Sequence, residues 1–79
     1  MAITVDVEIG GLLAKPQGKS AVRPTLENGA VVRDMLAAIG FKKEHIPRIV
    51  VSVNGTVRKL DFDLRDGDII KLSILVGGG

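Results

Sequence analysis

The residues with the clearest chemical potential are the last four, Val76-Gly77-Gly78-Gly79. Glycine lacks a Cβ atom, so a run of glycines can pass through a narrow channel and adopt φ and ψ values that other residues avoid. Three extended residues span about 10 Å, at roughly 3.3 Å each. The sequence therefore predicts a slender tail that delivers the α-carboxylate of Gly79 into an enclosed site on another protein.

The remaining side chains offer little catalytic chemistry. The chain has no cysteine, and its one histidine, His45, has no serine beside it in a recognisable nucleophile motif. Four acidic residues lack the spacing and the terminal glutamate of a calcium loop, so we assign them to turns and solubility and predict no metal site: Asp61, Asp63, Asp66 and Asp68. We expect no catalytic role for these side chains and no permanently bound cofactor.

Length and composition limit the other functions. A chain of 79 residues forms one domain and buries only about 60% of its unfolded surface, which leaves no room for a large cavity. The formal charge of +2 is small and only two residues are aromatic, so nucleic-acid binding is disfavoured. No signal peptide and no apolar run of about 18 residues is present, which favours a cytoplasmic protein without membrane contact.

The first half of the chain predicts two strands and a helix. A first strand follows from apolar residues that alternate with polar ones: Ile3, Val5, Val7 and Ile9. A polar turn at 15–19 leads to a weaker strand over 20–26, which Pro24 places at a sheet edge. A helix of about ten residues begins at Asn28 or Gly29 and ends at Gly40, with four residues on one face: Val32, Met35, Leu36 and Ile39.

The second half predicts three strands. A basic connector over 42–47, extended at Pro47, leads into a buried strand over 49–53. Asn54-Gly55 is the strongest two-residue hairpin signal, and 56–60 forms the returning strand. A turn at Asp66-Gly67-Asp68 then precedes the final strand over 69–75.

One helix can cover only one face of such a sheet, so the fold class is two-layered α+β. The first and last strands carry the cleanest aliphatic alternation and are expected to pair at the centre. This arrangement is the ubiquitin-like β-grasp, a mixed sheet of four to five strands with one helix packed on one face. We assign the domain to residues 1–76 and a flexible glycine tail to residues 77–79.

Three motifs carry a resemblance to a known family. They are Val51-Ser52-Val53-Asn54-Gly55, Leu64-Arg65-Asp66-Gly67-Asp68-Ile69-Ile70 and the terminal glycines. In their order and spacing, over nearly the whole chain, they resemble the sulfur-carrier family that includes the thiamine-pathway carrier and the small subunit of molybdopterin synthase.

The resemblance implies a chemistry performed on the protein by others. A ubiquitin-activating-enzyme-like adenylyltransferase uses ATP to adenylate the carboxylate of Gly79, within the pair Gly78-Gly79. A sulfur donor converts the acyl adenylate to a thiocarboxylate, and a thiazole synthase or the large subunit of molybdopterin synthase takes the sulfur. The sequence departs from the family in having a third glycine, Gly77, and in lacking the proline and aromatic pattern of molybdopterin carriers over 73–76, which leaves the pathway open.

Two candidate surfaces and two further functions complete the expectations. The first surface for docking the activating enzyme is apolar, although its members also suit the core: Leu60, Phe62, Leu64 and Leu75. The second candidate surface is basic and consists of Lys42, Lys43, His45 and Arg48. These residues either contact an acidic partner or are merely solvated. The competing functions are a protein modifier joined to lysines through the same carboxylate and a β-grasp interaction module with an inert tail.

Overall fold

A computed structural model describes residues 2–10 and 20–74 of the chain. This part contains one α-helix, α1 (Val32–Ile39), and a short 3₁₀ helix, Ile46–Arg48. Its strands are β1 (Ala2–Thr4), β2 (Asp6–Ile9), β3 (Ala21–Val22), β4 (Thr25–Glu27), β5 (Ile49–Val53), β6 (Thr56–Arg58) and β7 (Ile69–Ile74). None of these helical segments has the length and hydropathy to cross a bilayer.

Five strands form the main sheet, in the order β3-β2-β7-β5-β6. The central strand β7 runs parallel to β2, with Val7 opposite Ile70, and antiparallel to β5, with Val51 opposite Leu72. The first and last long strands therefore pair at the centre, as predicted, and the sheet is mixed. This is the α+β β-grasp that the sequence predicts.

The core lies between the sheet and α1. Alternate strand residues are buried against the apolar face of the helix, whose four inward residues are 0–3% exposed: Val32, Met35, Leu36 and Ile39. The intervening strand residues, among them Glu8 and Lys71, lie on the opposite face of the sheet. We call this second face, which α1 does not cover, the open face.

The strand predicted over residues 3–9 is divided into two. β1 pairs with β4 in a separate two-stranded sheet, whereas β2 pairs with β3 and β7. Between them the amide of Val5 donates to the carbonyl oxygen of Pro24 at 3.2 Å. The predicted second strand is divided at the same place, and both of its parts lie at sheet edges, as Pro24 requires.

The helix begins later than predicted. Residues 27–30 form a turn instead, in which the amide of Ala30 donates to the carbonyl of Glu27 and Gly29 adopts φ 94°. The helix ends as predicted, with Gly40 in the left-handed conformation at φ 115°. The extended path expected at Pro47 is wrong, because the φ that proline prefers also fits the 3₁₀ helix in which it lies.

Candidate functional site

The predicted glycine tail follows the central strand of the sheet. The last described residue of β7, Ile74, pairs with Ile49 of β5, so the chain is still held by the sheet at that point. Leu75 and the tail residues Gly77, Gly78 and Gly79 lie outside the described residues. Their assignment as activated terminus and docking residue therefore stays a prediction.

The other side of β7 is held by Gly10, at the end of β2. Its amide donates to the carbonyl oxygen of Leu72 at 2.8 Å. A Cβ atom at this position would lie 2.9 Å from the same oxygen, closer than real Cβ contacts allow. Glycine is therefore needed for this close approach, and β7 is held on both sides almost to its end.

The open face beside β7 carries two apolar side chains that the sequence analysis did not single out. Val57 on β6 is 66% exposed and Ile69 on β7 is 55% exposed. Val57 pairs with Ser52, and Ser52 pairs with Lys71, so these three residues form a row across β6, β5 and β7 on this face. The period-two pattern of the final strand could have revealed Ile69, because it places that residue on the same side as Lys71.

One member of the predicted apolar docking surface belongs to the core, and two others lie at the border between core and solvent. Leu64 is only 3% exposed and belongs to the core, so its assignment to a docking surface is wrong. Its amide donates to the carbonyl of Ala30 at 2.9 Å, which fixes this residue against the segment before α1. Leu60 and Phe62 are half-buried and pack against the same core, and the guanidinium carbon of Arg58 lies 4.6 Å from the centroid of the Phe62 ring.

Leu60 and Phe62 also complete the start of the helix. The first amides of a helix lack intrahelical partners. Here the amide of Val32 donates to the carbonyl of Phe62 at 3.1 Å, and that of Arg33 donates to the carbonyl of Leu60 at 2.9 Å. The main chain of this segment is thereby fixed against α1, and its two apolar side chains are placed at the border between core and solvent.

Two of the four acidic residues considered for metal binding, Asp66 and Asp68, form structural hydrogen bonds. Within the described ranges, no three acidic or histidine side chains are grouped as a metal site. A carboxylate oxygen of Asp66 accepts from the amide of Thr4 at 2.8 Å, and Asp68 is buried in contact with Asn54. Asp61 and Asp63 are exposed.

Together these features define a small α+β β-grasp protein in which two residues separate the end of the central strand from a C-terminal glycine run. The ThiS family profile matches residues 13–79, which is most of the chain and includes all three terminal glycines. The chain belongs to the ThiS family.

Solved structures of similar proteins support the fold. SAMP1, the small archaeal modifier protein 1 of Haloferax volcanii, is 25% identical with a TM-score of 0.76, over 96% of this chain and 99% of that one. Subunit 1 of the molybdopterin-converting factor of Helicobacter pylori, solved in complex with subunit 2, is 25% identical with a TM-score of 0.63, over 98% and 100%. ThiS of Geobacter metallireducens is 20% identical with a TM-score of 0.59, over 94% and 99%.

Proposed function

We propose that the protein is a sulfur carrier whose working group is the α-carboxylate of Gly79. A separate adenylyltransferase joins this carboxylate to the α-phosphate of ATP and releases pyrophosphate. A sulfur donor then attacks the acyl adenylate, AMP leaves, and the terminal group becomes a thiocarboxylate. We place this chemistry in the cytoplasm, because the activation step consumes ATP.

The observation that carries the proposal is the family match, which extends to Gly79. The structure supports it, since β7 lies at the centre of the sheet and its end is held by Ile49 on one side and Gly10 on the other. A rigid strand that leads into side-chain-free residues suits a terminus that must enter another protein's nucleotide site.

The body of the domain must supply most of the binding energy. Ordering a flexible residue costs about 1 to 2 kcal/mol, so three glycines lose several kcal/mol when they are drawn into a channel. The exposed apolar side chains of Val57 and Ile69 lie on the open face. Val57 belongs to the edge strand β6, and Ile69 belongs to β7 itself. We propose that the activating enzyme docks on this face while the tail enters its active site.

The comparisons support two candidates for the sulfur acceptor. Since the Helicobacter pylori relative is found in a complex of subunits 1 and 2 of molybdopterin-converting factor, we propose a synthase large subunit as the second partner. The family name keeps a thiazole synthase equally open. The two acceptors are distinguished by whether the charged carrier gives up its sulfur to a purified thiazole synthase or to a purified molybdopterin synthase large subunit.

The direct test is intact-protein mass spectrometry. The full chain is incubated with ATP, a cognate adenylyltransferase and a sulfur donor, and the exchange of one terminal oxygen for sulfur is expected. A chain lacking Gly78 and Gly79 is the matched control and should remain unchanged in mass. No exchange with any cognate activating enzyme from the same genome would refute the proposal.

A second candidate function is protein modification, favoured by the likeness to SAMP1. In that case a lysine amine displaces AMP from the activated Gly79, and an isopeptide bond forms. A tagged chain is expressed in cells, and the purified conjugates are digested with trypsin and searched for lysines that carry the remnant left by cleavage after Lys71, Leu-Ser-Ile-Leu-Val-Gly-Gly-Gly. Remnants that are found with the full chain, and not with a chain lacking Gly78 and Gly79, would support modification. If no such remnants are found, protein modification is refuted and the sulfur-carrier proposal is unaffected.

A further inference from the structure

A cleft of about 400 Å³ lies on the helix side of the molecule, between α1, the 3₁₀ helix and Leu60. Its deepest residues are apolar, since Phe41 is 8% and Ile46 is 5% exposed. Ala37 and Pro47 form its exposed sides. The cleft has the size and lining to take one bulky apolar side chain from outside.

The rim of the cleft is positively charged. Arg33 and Lys43 both line it, and neither forms an ion pair with another described residue. The one carboxylate in the lining, that of Asp34, accepts a hydrogen bond from the amide of Val31 at 2.9 Å. The two cations outnumber this one carboxylate, so the rim has a net positive charge, and together with the apolar floor it is complementary to an occupant that combines an apolar side chain with carboxylates.

The cleft is separate from the open face. It lies against α1, on the other side of the sheet from Val57 and Ile69. The 3₁₀ helix on its border continues directly into Ile49, the residue that pairs with Ile74 at the end of β7. A partner held in the cleft would thus leave the open face free and still lie near the end of β7.

We propose that this cleft binds an acidic peptide segment of a partner protein. One bulky apolar side chain of the segment lies on Phe41 and Ile46, and its flanking carboxylates meet Arg33 and Lys43. Peptide binding at the cleft does not require the activation of Gly79, so this proposal can be tested independently of the sulfur-carrier function.

The probe is an acetylated and amidated pentapeptide, Glu-Glu-Phe-Glu-Glu, titrated into the isotope-labelled full chain and followed by NMR. We expect saturable shifts of backbone amides around the cleft: Ala37, Phe41, Lys43, Ile46 and Leu60. The peptide with alanine in place of phenylalanine should bind more weakly, and the charge-reversed Lys-Lys-Phe-Lys-Lys should not bind. Shifts centred on the open face, or equal binding of the basic peptide, would overturn the proposal.

Matched variants separate the cleft from general attraction to a basic surface. Lys43→Glu should weaken binding of the acidic peptide about threefold to tenfold, the size expected when an exposed ion pair becomes a like-charge pair. Lys42→Glu makes the same change in net charge one residue away, at a position that does not line the cleft. Equal loss in the two variants would show diffuse electrostatic attraction and contradict a defined site.

Discussion

Asp68 connects two turns that are distant in the sequence. One carboxylate oxygen accepts from the side-chain amide of Asn54 and the other accepts from the amide of Arg65, both at 2.9 Å. Asn54 in turn accepts from the amide of Ile69 at 2.9 Å. These bonds join the β5–β6 hairpin to the turn that starts β7, and so fix the beginning of the strand that leads to the tail.

The substitution Asp68→Asn tests this connection. An amide of the same shape offers one acceptor oxygen to two donors, so either Asn54 or the amide of Arg65 loses its partner. Because Asp68 is only 9% exposed, the free energy of unfolding should fall by about 1–3 kcal/mol, measured by urea denaturation. Asp61→Asn removes the same charge from an exposed residue and should change stability by less than about 0.5 kcal/mol. Equal effects at the two positions would contradict the structural role of Asp68.

The local part of this arrangement could be predicted from the sequence. Asn54 and Gly55 have positive φ, 52° and 89°, as the hairpin signal requires, and Gly67 has φ 86° in the predicted turn. The burial of Asp68 could not be predicted, because its partner Asn54 is fourteen positions away and each motif alone predicts only a turn. The same limit applies to Leu64, whose burial depends on contacts with the segment before α1.

The elements show what hydrophobic patterning can and cannot determine. The alternation over residues 3–9 correctly predicts burial, since Ile3, Val5, Val7 and Ile9 are all 5% exposed or less. It cannot predict that β1 and β2 pair with different strands, because side-chain period reports the face of a strand and not its neighbour. The terminal glycines and the outward position of Ile69 can be recognised from the sequence alone, whereas the position of Val57 on the same face becomes apparent only from the strand pairing.

The predicted start of α1 is wrong because the residue that precedes the helix is not a usual N-cap residue. Val31, which precedes the helix, has no side-chain acceptor, and its amide is bound instead by Asp34 three residues later. Asn28 and Gly29, the expected start, lie in the preceding turn. An acidic residue three positions into the helix was the sequence feature that marked the true boundary.

Substitution of Asp34 tests that boundary. Asp34→Ala removes the acceptor for the amide of Val31 and the negative charge near the helix N-terminus, so the free energy of unfolding should fall by about 1 kcal/mol. Asp34→Glu keeps both features and should retain most of the stability. Thermal and urea unfolding of the two variants provide the measurement. If the glutamate variant lost as much stability as the alanine variant, the carboxylate would have no role in starting the helix.

At the scale of the whole molecule, the two layers have different roles. The helix covers one face of the sheet and closes the core, while Val57 and Ile69 are exposed on the open face. A carrier of this design needs a rigid body for recognition and a slender terminus for chemistry, because the energy lost on ordering the tail must be recovered elsewhere.

The variant Val57→Asp/Ile69→Asp tests recognition by the open face. Both side chains are more than half exposed, so their replacement should leave the thermal unfolding midpoint nearly unchanged. Charges on an apolar docking surface should reduce kcat/KM for thiocarboxylate formation about tenfold or more, mainly through KM. Ala38→Asp places a new charge on the exposed side of α1 and should leave the reaction unaffected. An equal loss in this control, or full activity of the double variant, would show that the activating enzyme binds elsewhere on the domain.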